Sequence, residues 1–105
     1  MVSRVWHCYT TPEKADAFET LLKTEIFIGI QNRKIEGYKG VQLFRRLLNV
    51  EVEFVTVMWF DSFDSVRSFA GENYEEAIIH SKVAAFLTRF DERSQHYEIT
   101  IDMKD

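Results

Sequence analysis

Residues 52–60 read VEFVTVMWF, nine residues with the β-branched and aromatic content of a strand. Side chains alternate along a strand, so Val52, Phe54, Met58 and Phe60 point one way and Val55, Val57 and Trp59 the other. Both faces are apolar, whereas an antiparallel sheet covered on one side only should turn polar residues outward on its open side. Residues 2–10, VSRVWHCYT, repeat the pattern more weakly, with Trp6 and Cys8 on one face and Val5 and Tyr9 on the other. These two segments are therefore expected in the middle of an antiparallel sheet, with two further strands at its edges and helices over one face. The 105 residues leave no element to cover the second face, and large apolar patches are rarely left in water. A second copy of the chain is the expected cover. At about 25 cal/mol per Å2, ~500 Å2 of apolar strand surface is worth ~12 kcal/mol gross before association costs, which favours a two-fold homodimer through the open sheet face.

Outward from this centre the pattern completes a β-α-β-β-α-β order. Thr11 is placed as an N-cap with Pro12 at the first helical position. Ala15, Phe18, Leu22 and Ile26, with Leu21 beside them, form one buried stripe, and Gly29 is expected to end that helix. Val41 to Leu48 reads as the second strand, and a tight turn at Asn49-Val50 would set Arg46 opposite Glu53. Asp61 or Ser62 caps a short helix carrying Phe63, Val66, Phe69 and Ala70, which Gly71 interrupts. A second helical piece is expected to resume through Tyr74, Ala77 and Ile78 to Val83, Phe86, Leu87 and Phe90, with an offset near His80 to Lys82. The last strand alternates Tyr97, Ile99, Ile101 and Met103 against His96, Glu98, Thr100 and Asp102, which places His96 and Glu98 in solvent or across a dimer contact. The expected fold class is α+β, a ferredoxin-like four-stranded antiparallel sheet with helices on one face, in a single domain spanning residues 1–105.

Composition excludes several function classes. The net charge is −4, and the basic residues come at most as the pairs Arg33-Lys34 and Arg45-Arg46, so no concentrated basic face for nucleic acid is expected. The longest nearly apolar run, Phe54 to Phe60, is too short to span a membrane. One cysteine, Cys8, allows no intrachain disulfide, and residues 1–9 lack the apolar stretch of a signal peptide; a cytoplasmic location is expected. His7 and Cys8 are neighbours on a strand and point to opposite faces, so they do not chelate one metal, and no metal site is expected. The four glycines make no phosphate-cradling motif.

The tract from Val52 to Ile99, above all VTVMWFDSFDSVRSFAGENYEEAI and FLTRFDERSQHYEI, resembles the antibiotic biosynthesis monooxygenase-like family of the dimeric α+β barrel superfamily, and the strand running into TTPEKADAFETLL extends the likeness over nearly the whole chain. The resemblance implies a dimeric α+β barrel and chemistry ranging from cofactor-free oxidation of aromatic polyketides and quinols to heme degradation. The heme-degrading branch implies an Asn on the first strand, a Trp in the helix after the third strand and a His further on. Here there is no Asn between Val2 and Thr10, Phe69 stands at the Trp position, and His80 matches the histidine only at a shifted spacing. No cofactor is therefore expected.

The oxidising branch implies proton removal from a phenolic or anthrone-like substrate whose anion passes an electron to dioxygen. Histidine is the first candidate for the base. His80 and His7 are the candidate catalytic residues, with Tyr9 and Tyr74 as hydrogen-bond partners and Trp59 and Phe69 as stacking walls for a small aromatic or quinone-type molecule. Most also have a plainer reading: His7 as a histidine satisfied by a backbone carbonyl, His80 as a helix-end residue, Phe69 and Tyr74 as core at helical spacing, and Trp59 as dimer interface or core. The alternative function is a non-catalytic small-molecule-binding or structural homodimer of the same fold.

Overall fold

A computed structural model describes all 105 residues. In chain order the elements are β1 (Val2–Thr10), α1 (Pro12–Leu21), a π-helical turn (Leu22–Ile26), α2 (Phe27–Asn32), β2 (Tyr38–Leu47), β3 (Val52–Phe60), α3 (Phe63–Ala70), α4 (Ser81–Ala84), β4 (Arg89–Phe90) and β5 (Gln95–Glu98). The antiparallel sheet has the order β2-β3-β1-β4, with β5 also pairing β1. The central pair is β1 and β3, and this is the ferredoxin-like arrangement expected from their doubly apolar faces. The hairpin register sets Arg46 opposite Glu53, and Leu48 N–H donates to the Glu51 carbonyl across the turn at 2.8 Å.

The even-numbered residues of β1 and β3 face the helices. There they build two core clusters, one around Cys8, Phe18, Leu22, Val52 and Phe54, the other around Val2, Met58, Phe60, Val66 and Phe69. Phe18 meets Phe54 edge-on at 5.0 Å, and Phe60 packs on Tyr38 and Phe69 at 5.6 and 5.8 Å, geometries that add to simple area burial. Ser62 caps α3 by accepting from Ser65 N–H. Gly37 has φ +84°, and a Cβ there would lie 2.0 Å from Ser65 Oγ, so the turn into β2 needs glycine for both backbone and space.

Five expectations are corrected. Gly29 does not end the first helix. The helix passes through a π-helical turn and continues to Asn32, because the apolar residues Phe27 and Ile30 still have the sheet to pack on. The second helical piece shrinks to Ser81–Ala84. Residues 74–77 instead give their backbone groups to non-local partners: Ala77 N–H donates to the Glu92 carbonyl at 2.9 Å, and Ser94 N–H to the Glu75 carbonyl at 2.7 Å. Arg89–Phe90, expected as helix, pairs with Cys8–Tyr9 as strand. The final strand stops at Glu98 rather than running to Met103: its ladder with β1 runs from Val5↔Gln95 to Val2↔Glu98, and Ile99 N–H makes one further bond, to the Met1 carbonyl at 3.0 Å. His96, expected in solvent, is half-buried on the helix side of the sheet, opposite Arg4.

Candidate functional site

A cavity of about 400 Å3 opens between the sheet and the helices where the two core clusters fail to meet. Its cause is local. Along the inner row of β3, Thr56 is a small side chain between Phe54 and Met58, and it sits opposite Trp6 of β1. On the helix side, the π-helical turn carries Leu22, Glu25 and Ile26 to the wall. One extra residue in that turn breaks the packing period, and such insertions recur at functional sites. Most of the lining is apolar, including the rings of Trp6, Phe27 and Phe69. The volume is in the range that takes small organic ligands.

Two arginines, Arg4 and Arg33, stand in this wall without a carboxylate partner among the ion pairs of the chain. Their guanidinium carbons lie 5.4 and 5.2 Å from the Phe69 ring centroid, within cation–π range. Arg4 is 4% exposed. Its Nη1 donates to the Tyr74 carbonyl and, at 3.1 Å, to His96 Nε2, while Nη2 donates to the Glu76 carbonyl at 3.1 Å. Burial pulls Arg4 down to about 10, still charged at neutral pH. The acid in the wall, Glu25, is occupied by Lys82 at 2.7 Å.

His96 accepts from Arg4 through Nε2, so its proton sits on Nδ1. Burial and then the Arg4 charge push it down to about 4 from an ordinary 6.5. The unfolded chain thus binds this proton first, and stability falls as the pH drops from 6.5 towards 4. His96→Gln should flatten that part of the profile, as urea unfolding at pH values on either side of the window will show; an unchanged slope would refute the assignment.

Of the candidate residues, His80 and Phe69 line the cavity. Tyr74 stands just outside it, edge-on to His96 at 5.0 Å and tilted on Phe63 at 5.9 Å. His7, Tyr9 and Trp59 are odd-numbered strand residues and lie on the opposite, open face of the sheet. His80 is the N-cap of α4, its Nδ1 accepting from Lys82 N–H at 3.1 Å, which puts the proton of the neutral ring on Nε2. The free nitrogen is accordingly a donor in this geometry. While that bond holds, Nε2 carries the ring proton and offers a metal no lone pair. Cys8 is buried, and burial pushes its thiol up to about 12, which keeps it un-ionised.

The open face carries a second cluster. Glu53, 6% exposed, accepts from Arg46 Nε at 2.5 Å, His7 Nδ1 at 3.0 Å and Tyr9 Oη at 3.1 Å. Arg46 first and His7 second hold it near 2. The carboxylate orients the His7 ring through Nδ1, on the face of the sheet turned away from the cavity. Around this cluster the open face is apolar, with Phe44 and Tyr97 51% and 57% exposed.

Solved structures with the same architecture are known. A Bacillus cereus protein assigned as an antibiotic biosynthesis monooxygenase superposes with a TM-score of 0.67 over 99% of this chain and 97% of its own, at 12% identity. The heme-degrader MhuD of Mycobacterium tuberculosis, solved with two hemes in its active site, superposes with a TM-score of 0.65 over 99% of this chain and 100% of its own, at 17% identity. This chain has the antibiotic biosynthesis monooxygenase-like fold. No protein-family model matches it, and no curated protein does; at these identities the likeness speaks for the fold. No helix of the chain is long and apolar enough to cross a membrane.

Sequence reasoning missed Arg4, Trp6 and Arg33. For Arg4 the signal was present: period two places it on the face of Trp6 and Cys8 in a central strand, where a charged residue is rarely buried without a purpose. For Arg33, at the end of a helix whose length was misread, there was none.

Proposed function

We propose that the protein is a cofactor-independent monooxygenase-like enzyme acting on a small aromatic or quinone-type molecule in the cavity between sheet and helices, working as a homodimer through the open sheet face in the cytoplasm. The observation that carries this is the ring-walled cavity of about 400 Å3 with His80 on its wall. Phe69, Trp6 and Phe27 offer flat apolar surface to a substrate ring and keep water from it. The reaction needs little more than that from the protein. A base removes a proton from the substrate, the electron-rich anion passes one electron to dioxygen, and the resulting radical pair joins to a peroxide. Loss of water from the peroxide leaves the oxidised carbonyl, so that one oxygen atom is inserted and the other leaves as water.

His80 is the group within the cavity suited to move the proton, on exchanging its single bond to Lys82 N–H for the substrate's. Oxygen uptake with a panel of anthrones and hydroquinones tests the reading. His80→Ala should lower the rate about 100-fold or more. A loss seen instead in His7→Ala would move the base to the open face. A protein that binds these molecules but consumes no oxygen is the non-catalytic binding homodimer, the second reading, which the same cavity supports.

A further inference from the structure

Arg4 has a feature that packing does not require. A guanidinium has five N–H donors; the carbonyls of Tyr74 and Glu76 and the His96 ring take three, leaving Nε–H and one N–H of Nη2 unpaired in a side chain that is 4% exposed and lines the cavity. No fully buried side-chain nitrogen in the chain lacks a partner, so the unpaired Nε is open to a molecule from outside. Nε and Nη2 form one edge of the planar group, the edge that fits a carboxylate with two parallel hydrogen bonds. Arg33 adds a second cation to the same wall, and Glu25 is already neutralised by Lys82. The cavity therefore holds uncompensated positive charge beside Trp6, Phe27 and Phe69.

We propose that the cavity takes a small aromatic carboxylate, its anionic group held by the free edge of Arg4 and its ring lying against Phe69 and Met58. The proposal rests on the reading of the cavity as the ligand site and narrows its ligand to an anion. Desolvation favours it: a buried cation without a counter-ion gains most from a ligand that brings one. A purely structural Arg4, serving only to hold residues 74–76 to the sheet, is the competing account, and it foresees no preference among ligands.

Calorimetric titration with 2-naphthoate and with its neutral isostere 2-naphthamide separates the two. The carboxylate should bind about tenfold or more tighter than the amide, the worth of one charge-assisted hydrogen-bonded pair. Arg4→Gln should bring the two affinities together while circular dichroism shows the fold retained, and Arg4→Lys should restore part of the difference. Should Arg4→Gln fail to fold, the Arg4 Nε–H resonance in the unsubstituted protein, labelled with 15N, gives the answer: naphthoate should shift it and naphthamide should not. Equal affinity for both ligands, or a preference that survives Arg4→Gln, would overturn the proposal. Oxygen uptake with anthrones but no binding of naphthoate at millimolar concentration would overturn it and leave the oxidase reading standing. Binding of naphthoate by a protein that consumes no oxygen would support it and reject the oxidase.

Discussion

Phe54→Ala is expected to lose about 3–5 kcal/mol of folding stability. Phe54 is fully buried on the inner face of β3, edge-on to Phe18 at 5.0 Å and with the Arg45 guanidinium 5.3 Å above its ring. It joins strand, helix and edge in one cluster with Cys8, Leu22 and Val83. Truncation removes the ring's transfer free energy and leaves a hole that β1 and β3, paired along their whole length from Val2↔Phe60 to Thr10↔Val52, cannot close over. Urea unfolding followed by circular dichroism measures the loss, with Phe54→Leu, expected to cost less than half as much, as the variant that still folds. A loss below about 1 kcal/mol in Phe54→Ala would mean that the cluster is not the core.

Phe44→Glu is expected to dissociate the proposed homodimer. Phe44 sits on the open face opposite Val55 and is 51% exposed in the single chain, so the isolated fold should tolerate the change within about half a kcal/mol. In a sheet-to-sheet dimer the same carboxylate would be buried against apolar surface with no partner, which should weaken association about 100-fold or more. Sedimentation velocity at micromolar concentration reads both states, with Tyr97→Glu as a second probe of the face. An unsubstituted protein that sediments as a monomer would remove the dimer, while a dimer indifferent to both substitutions would place the interface elsewhere. Glu53 adds a pH dependence: held near 2 in the fold against an ordinary 4.5, it contributes stability above 4.5 that is lost as the pH falls towards 2.

The sheet was largely legible before any coordinates. Val52–Phe60 has the same bounds in sequence and structure, its two apolar faces identify it as central, and the Arg46–Glu53 register follows from the two-residue turn. The cap of α3 was readable as Asp61 or Ser62, and Ser62 holds it. Residues 74–90 were not. Their apolar spacing suits a helix, but the segment's backbone is taken by Arg4, Glu92 and, through β4, the strand β1. The cavity was legible only in part, since His80 and Phe69 were read as site residues while the arginines beside them were not.

Sequence by itself determined the long strands β1 and β3, the starts of α1 and α3, and the apolar character of both faces of β3, because alternation and helical spacing are properties of consecutive residues. Tertiary structure alone decided which side chains share the cavity. Arg4 and the Tyr74 carbonyl it holds are 70 positions apart, and the space beside them exists because a small Thr56 faces a π-helical turn across the fold. No local pattern encodes a meeting of that kind, since it depends on how separate elements stack and on what volume they leave unfilled.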